Sequence, residues 1–127
     1  MGASKTVHRV LVLDDDLDLR ETLAQVIELY GHRCVAAAGM GDVLRQREAV
    51  LNCDVAILDI NLGDGVPSGL DAYRWLVGEH FPGTILFLTG HARSHPLVDS
   101  ACQTGAAVLE KPIGADDVRR VLQAPAQ

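Results

Sequence analysis

The sequence predicts a doubly wound α/β domain, built on one five-stranded parallel sheet of order 2-1-3-4-5 with helices on both faces. Three observations carry this prediction. Short apolar runs alternate five times with segments of helical periodicity, the signature of consecutive βα units joined by right-handed crossovers. The core supply is aliphatic, since 48% of the 127 residues are hydrophobic but only five are aromatic, which suits a parallel sheet buried on both faces. Finally, the apolar runs stop at residues able to do chemistry: Asp14, Asp59 and Thr89 each follow such a run directly.

The elements follow in order. Residues 7–13 are a β-branched and leucine run, the first strand. Leu19, Leu23, Val26, Ile27 and Tyr30 then recur on one face of an amphipathic helix that Asp16 caps and Gly31 stops. Residues 33–38 read as a second strand of weak propensity, and 42–51 as a second helix after Gly39 and Gly41. The third strand is 54–58. The stretch 61–68 contains Gly63, Asp64, Gly65 and Pro67 and must be a loop. Ser68 caps a third helix, which uses Leu70, Tyr73, Leu76 and Val77 and ends before Pro82 and Gly83. The fourth strand, 84–88, leads to a helix at about 94–104 with the thinnest apolar stripe, which Gly105 ends. Residues 106–109 form the fifth strand. The last helix, 116–122, has acids in its first turn and Arg119 and Arg120 in its last, as the helix dipole prefers.

In such a sheet, ligands sit in the crevice beyond the carboxyl ends of the strands, and the order 2-1-3-4-5 sets the ends of strands one and three side by side. Those two ends carry Asp14, Asp15 and Asp16, and Asp59. Strand four ends in Thr89, and strand five is followed closely by Lys111 and Pro112. Carboxylates, a hydroxyl and an ammonium on one rim can hold a hard divalent cation and a phosphoryl group.

Composition narrows the alternatives. The length suits a single domain over 1–127, with its core at about 7–122 and residues 1–5 as a lead-in. A net charge of −6 argues against direct nucleic-acid binding, which needs a basic patch. Cys34, Cys53 and Cys102 are odd in number and lack CxxC spacing, so they read as reduced, buried thiols of a cytoplasmic protein rather than a metal site. No apolar stretch reaches the ~20 residues that span a bilayer, and no membrane partner is expected. His8, His32, His80 and His95 read as surface or loop residues, and Tyr73 and Trp75 as packing residues.

At the rim residues the chain resembles the receiver domains of two-component response regulators, such as the single-domain chemotaxis regulator, over about residues 7–122. The carriers are the acidic pair in VLVLDDD, the acceptor in VAILDIN, the hydroxyl in ILFLTGHA and the basic residue in LEKP, in family order and near family spacing. The resemblance implies a flavodoxin-like fold and a phosphoryl acceptor at Asp59. It also implies Mg2+ held directly by Asp15 and Asp59, with the backbone carbonyl of Asn61 as third protein ligand and Asp14 acting through water. Thr89, with help from the Gly90 N–H, and Lys111 would hold phosphoryl oxygens, and a cis peptide at Pro112 would point the ammonium inward. The donor would be a histidine kinase or a histidine phosphotransfer protein, and the output an unspecified protein partner. Such a domain is not an enzyme in the usual sense, because it assists only its own phosphorylation and dephosphorylation. Asn61 and His91 are the expected tuners of hydrolysis.

Departures from the family pattern are also visible. Gly69 comes two residues later than usual after the acceptor, Gly63 stands where proline is common, and the segment 105–111 is one residue short. Val108 takes the place of the aromatic switch residue. Its stiff side chain has too little area to swing between two positions, which shifts the expected output to ordering of the loops around Asp59 and Thr89 and of the fourth helix. A rival reading is a haloacid-dehalogenase-like phosphatase, with Asp14 and Asp16 as its DxD motif and Thr89 and Lys111 as later motifs. Against it, the expected Thr or Val after the second acid is missing, as is a later acidic metal motif. A degenerate receiver used only for docking is the third reading, and the intact acidic pair, acceptor, threonine and lysine speak against it.

Overall fold

Strands β1 (Arg9–Leu13), β2 (Arg33–Ala37), β3 (Val55–Asp59), β4 (Thr84–Thr89) and β5 (Ala107–Glu110) form one parallel sheet in the order β2-β1-β3-β4-β5. The computed structural model describes residues 7–62, 65–90, 96–111 and 113–123. Among the described residues six helices accompany the strands: α1 (Leu17–Leu29), α2 (Met40–Arg45), α3 (Arg47–Leu51), α4 (Gly69–Gly78), α5 (Pro96–Gln103) and, after the last strand, α6 (Ala115–Gln123). Among the described residues, no helix is long and apolar enough to cross a membrane.

Alternation along each strand divides the core in two. Val10, Val12, Val55, Ile57, Leu86 and Leu88 point to the face covered by α1 and α6, where Leu23, Ile27, Val118 and Leu122 meet them. Leu11, Leu13, Ala56, Leu58 and Phe87 point to the other face, closed by Val43 and Val50 of α2 and α3, Leu70, Ala72 and Leu76 of α4, and Val98 and Ala101 of α5. Tyr73 and Trp75 pack against this second cluster, and the Tyr73 ring lies 5.6 Å from that of Phe87, as the packing reading requires.

Local chemistry sets the helix ends. Asp16 caps α1 by accepting from the Leu19 N–H, and Gly31 follows the helix with φ +88, a left-handed conformation suited to glycine. Ser68 and Asp71 form a capping box at the start of α4.

Several expectations are corrected. The predicted second helix is two short helices interrupted at Gln46, whose side chain turns to donate to the Ala36 carbonyl of β2 at 2.9 Å. Asp59 and Thr89 close their strands instead of following them, because each still pairs across the sheet, with Leu88 and Glu110 respectively. Cys102 is exposed rather than buried; Cys53 is buried, Cys34 is half-buried, and all three are free. Burial pushes the thiols of Cys34 and Cys53 up to about 12 and about 11, so both stay protonated. His8 and His32 are engaged rather than merely superficial. His8 Nδ1 lies 3.1 Å from Asp54 Oδ2, and His32 Nδ1 accepts from the His8 backbone N–H at 2.9 Å. Residues 1–5, Gly63, Asp64, His91, Ser94, His95 and Pro112, for which the sequence sets expectations, lie outside the described residues.

Candidate functional site

Strand register assembles the site. Leu13 of β1 is level with Leu58 of β3, so Asp14 and Asp59, one residue further along each chain, are neighbours across the switch point. Asp59 is level with Leu88 of β4, and Thr89 with Glu110 of β5. The ladder continues past the sheet: the Ile60 N–H donates to the Leu88 carbonyl at 2.9 Å and the Lys111 N–H to the Thr89 carbonyl at 2.7 Å. By strand alternation Asp14, Asp59 and Lys111 fall on the α1/α6 face, while Thr89 and Val108 fall on the face that α5 covers.

Among the described residues, Asp14, Asp59 and Thr89 are the buried polar exceptions in an apolar interior. Asp14 is fully buried, Asp59 is 4% exposed and Thr89 is 1% exposed. Asp15 is exposed and Asn61 half-buried. The Lys111 ammonium sits between two acids, with Nζ 3.1 Å from Asp14 Oδ2 and 3.2 Å from Asp59 Oδ2. Asp14 Oδ1 accepts from the Asp16 N–H at 2.9 Å. Asp14 Oδ2 is in charge contact with Lys111 and has no well-directed hydrogen bond from the described residues.

Electrostatics follow from this crowding. Burial, then the negative charge of Asp14, pushes the Asp59 carboxyl up to about 6, against the opposing pull of the Lys111 ammonium and the Asn61 backbone N–H. Burial disfavours the charged Lys111, but the carboxylates of Asp59 and Asp14 together outweigh it and hold its pKa above the ordinary value. At neutral pH the site thus contains an ionised acceptor and a charged lysine.

Asp14, Asp15 and Asp59 each offer a carboxylate oxygen within 4.8 Å of the others. An all-oxygen donor set fits a hard cation such as Mg2+ or Ca2+ better than a transition metal. The buried, undirected Oδ2 of Asp14 is an acceptor that such an ion, or water bound to it, would satisfy. Of the residues expected at the rim, Asp14, Asp15, Asp59 and Lys111 are brought together, while Thr89 ends the neighbouring strand β4, its carbonyl holding the Lys111 N–H, and Asn61 follows β3.

Two contributors were not foreseen. Gly69 was noted only for its spacing, yet a Cβ there would stand 2.2 Å from the Asp59 carbonyl oxygen, so the start of α4 rests directly on the acceptor's backbone. Arg20 reaches back from α1 to donate to the Asp14 carbonyl at 2.8 Å. The signal for Arg20 was its place one turn into the capped helix that follows the acidic triplet, within reach of the preceding strand end.

Residues 10–123 match the family described as response regulator receiver domain. The transcriptional regulatory protein YxdJ of Bacillus subtilis (strain 168) is 28% identical over 118 residues, 88% of this chain and 47% of that protein, so the chain spans about half the length of this curated relative. A CheY-like response regulator receiver domain protein of Methanospirillum hungatei superposes with a TM-score of 0.78 at 25% identity, over 93% of this chain and 92% of that one. A response regulator protein of Burkholderia pseudomallei, crystallised with a phosphorylated aspartic acid, a calcium ion and citrate, superposes with a TM-score of 0.77 at 29% identity, over 92% of this chain and 67% of that one.

Proposed function

The chain belongs to the response regulator receiver domain family, and from that premise we propose that it accepts a phosphoryl group onto Asp59 from the phosphohistidine of a histidine kinase or histidine phosphotransfer protein. The carrying observation is the environment of Asp59: a buried carboxylate 3.2 Å from the Lys111 ammonium, with oxygens of Asp14 and Asp15 within 4.8 Å. Asp14, Asp15, Asp59 and the Asn61 carbonyl are the residues that would hold Mg2+. When bound, that ion supplies positive charge against the oxygens of the incoming phosphoryl group.

The chain's own residues do the rest. Asp59, ionised above about pH 6, offers an oxygen to phosphorus; the new O–P bond forms as the donor's N–P bond breaks and the imidazole keeps that electron pair. Lys111 stays charged and pairs with a phosphoryl oxygen, and the Thr89 hydroxyl donates to another. The receiver assists its own modification and does not turn over a separate substrate. Residues 7–122 form this unit in a cytoplasmic protein, and a protein partner reads the result. With Val108 in place of an aromatic, that readout runs through the Asp59 and Thr89 loops and α5.

Incubation with Mg2+ and a small phosphodonor should add one acid-stable, alkali-labile phosphoryl group at Asp59, and Asp59→Asn should add none. Labelling that survives Asp59→Asn but is lost in Asp14→Asn would favour the phosphatase-type reading instead. The geometry disfavours that reading, because Asp16, the second acid of its motif, is spent capping α1.

A further inference from the structure

We propose that Arg20 is a positioning residue for the cation site: by holding the Asp14 carbonyl it fixes the Asp14–Asp15 peptide and so aims the Asp15 carboxylate at Asp59. The inference rests on the reading of Asp14, Asp15 and Asp59 as a divalent-cation site.

The last ladder pairs of β1 are Leu13 with Ala37 and Leu13 with Leu58. Beyond them, the Asp14 N–H still donates to the Ala37 carbonyl at 3.0 Å, and the Asp14 side chain takes the Asp16 N–H at 2.9 Å. The Asp14 carbonyl, at a fully buried residue, has left the ladder and would face a low-dielectric rim without a partner. Arg20 supplies one: its Nη1 donates to that oxygen at 2.8 Å. The donor itself is anchored, because the Arg20 N–H closes the first turn of α1 on the Asp16 carbonyl at 2.9 Å and Asp16 Oδ1 accepts from the Leu19 N–H at 3.2 Å. The peptide leading into Asp15 is thus held on its N-terminal side by β2 and on its carbonyl by α1. Asp15 is exposed, so the direction of its Cα–Cβ bond is set by its backbone, which follows from that peptide plane.

Two roles for Arg20 predict opposite signs. A guanidinium acting only through its charge would repel a divalent cation, so removing it would tighten binding. A guanidinium acting through geometry would weaken binding when removed, since loss of an outer-shell partner of a metal ligand typically costs ~10–100-fold in affinity.

The test titrates Mg2+ into the full chain by calorimetry for wild type, Arg20→Met, which keeps the apolar stem, and Arg20→Lys, which keeps the charge but not the fork. Thermal melts accompany each titration. Arg20→Met should weaken Mg2+ binding ~10-fold or more, and Asp59 labelling should return to near the wild-type extent once Mg2+ saturates. Arg20→Lys should recover only part of the affinity. Unchanged or tighter Mg2+ binding in Arg20→Met overturns the proposal. Should that variant fail to fold, wild-type affinity in Arg20→Lys overturns it as well. Wild-type protein that binds no Mg2+, or binds it equally after Asp59→Asn, defeats the reading of the site itself and this inference with it. A wild type whose affinity depends on Asp59 but not on Arg20 defeats only the role of Arg20.

Discussion

Replacing Asp59 with asparagine should stabilise the metal-free domain at neutral pH. The acceptor carboxyl is 4% exposed, and burial and the charge of Asp14 raise it from an ordinary 3.8 to about 6. A group whose pKa is higher in the folded state contributes stability that is fully present below the unfolded value and is lost as pH rises through the folded value. Ionised Asp59 therefore opposes folding above about pH 6. At about 1.4 kcal/mol for each tenfold change in proton affinity, the penalty is about 3 kcal/mol at pH 7. Asparagine is close in size and uncharged. Lys111 is not orphaned by the change, because its Nζ remains 3.1 Å from Asp14 Oδ2. For a domain of this size the gain corresponds to a rise in Tm of roughly 10 °C. Urea melts of wild type and Asp59→Asn in EDTA, at pH 7.5 and pH 4, measure it: the difference should be large at pH 7.5 and small at pH 4. Mg2+ at ten times its dissociation constant should return about 1.4 kcal/mol to the wild type and little to the variant. Equal or lower stability of Asp59→Asn at pH 7.5, or a gain of the same size at pH 4, would refute the electrostatic account.

Gly69→Ala should destabilise the domain by roughly 1–3 kcal/mol and slow labelling of Asp59, since its Cβ would stand 2.2 Å from one backbone atom of Asp59 and 2.9 Å from another. Gly78→Ala in the same helix, where a Cβ meets nothing within 4 Å, is the control and should be neutral or stabilising; denaturant melts and labelling time courses that treat both variants alike would contradict the contact. At the opposite rim, burial and then His8 hold the His32 imidazole below its usual range against the pull of Asp54. Its contribution to stability is present above pH 6.5 and lost as pH falls below that value. In the Asp59→Asn background, which removes the opposing titration, stability should fall between pH 7.5 and 5.5, and His32→Gln should flatten the fall; parallel slopes would show that His32 does not titrate as argued.

How much of this was legible follows from where each constraint originates. A strand buried on both faces must be apolar along its whole length, so its end is sharp in the sequence, and Asp14, Asp59 and Thr89 stand out at such ends. The order of strands then brings them together by topology alone. Contacts that cross the fold leave no such trace. The His8–Asp54 pair joins residues 46 positions apart, and the clash that forces glycine at position 69 exists only once α4 is laid on β3. The interruption at Gln46 was equally hidden, because the choice of its side chain to serve Ala36 depends on the edge strand beside it. Nor could sequence separate the adjacent Asp14 and Asp15, one fully buried and one exposed. Strand pleating decides that.

The same geometry indicates where a change at Asp59 must travel. The site is under electrostatic strain without a cation, yet its backbone is held on two sides by contacts that leave no slack. On one side the Asp59 carbonyl abuts Gly69 at the start of α4, so a shift of a few tenths of an ångström at the end of β3 has to move the helix or be resisted by Leu70, Ala72 and Leu76, which anchor it in the core. On the other side the Thr89 carbonyl holds the Lys111 N–H at 2.7 Å, which couples any motion of Thr89 to the end of β5. Of these two paths, the first runs into a helix with four buried residues and a capping box, whereas the second lies beside α5, which buries only Val98 and Ala101. A restraint yields where the packing that opposes it is weakest. We therefore expect the response to charge on Asp59 to concentrate at Thr89, the end of β5 and α5. Val108, half-buried on that same face opposite Phe87, is expected to move with its strand and not to switch on its own.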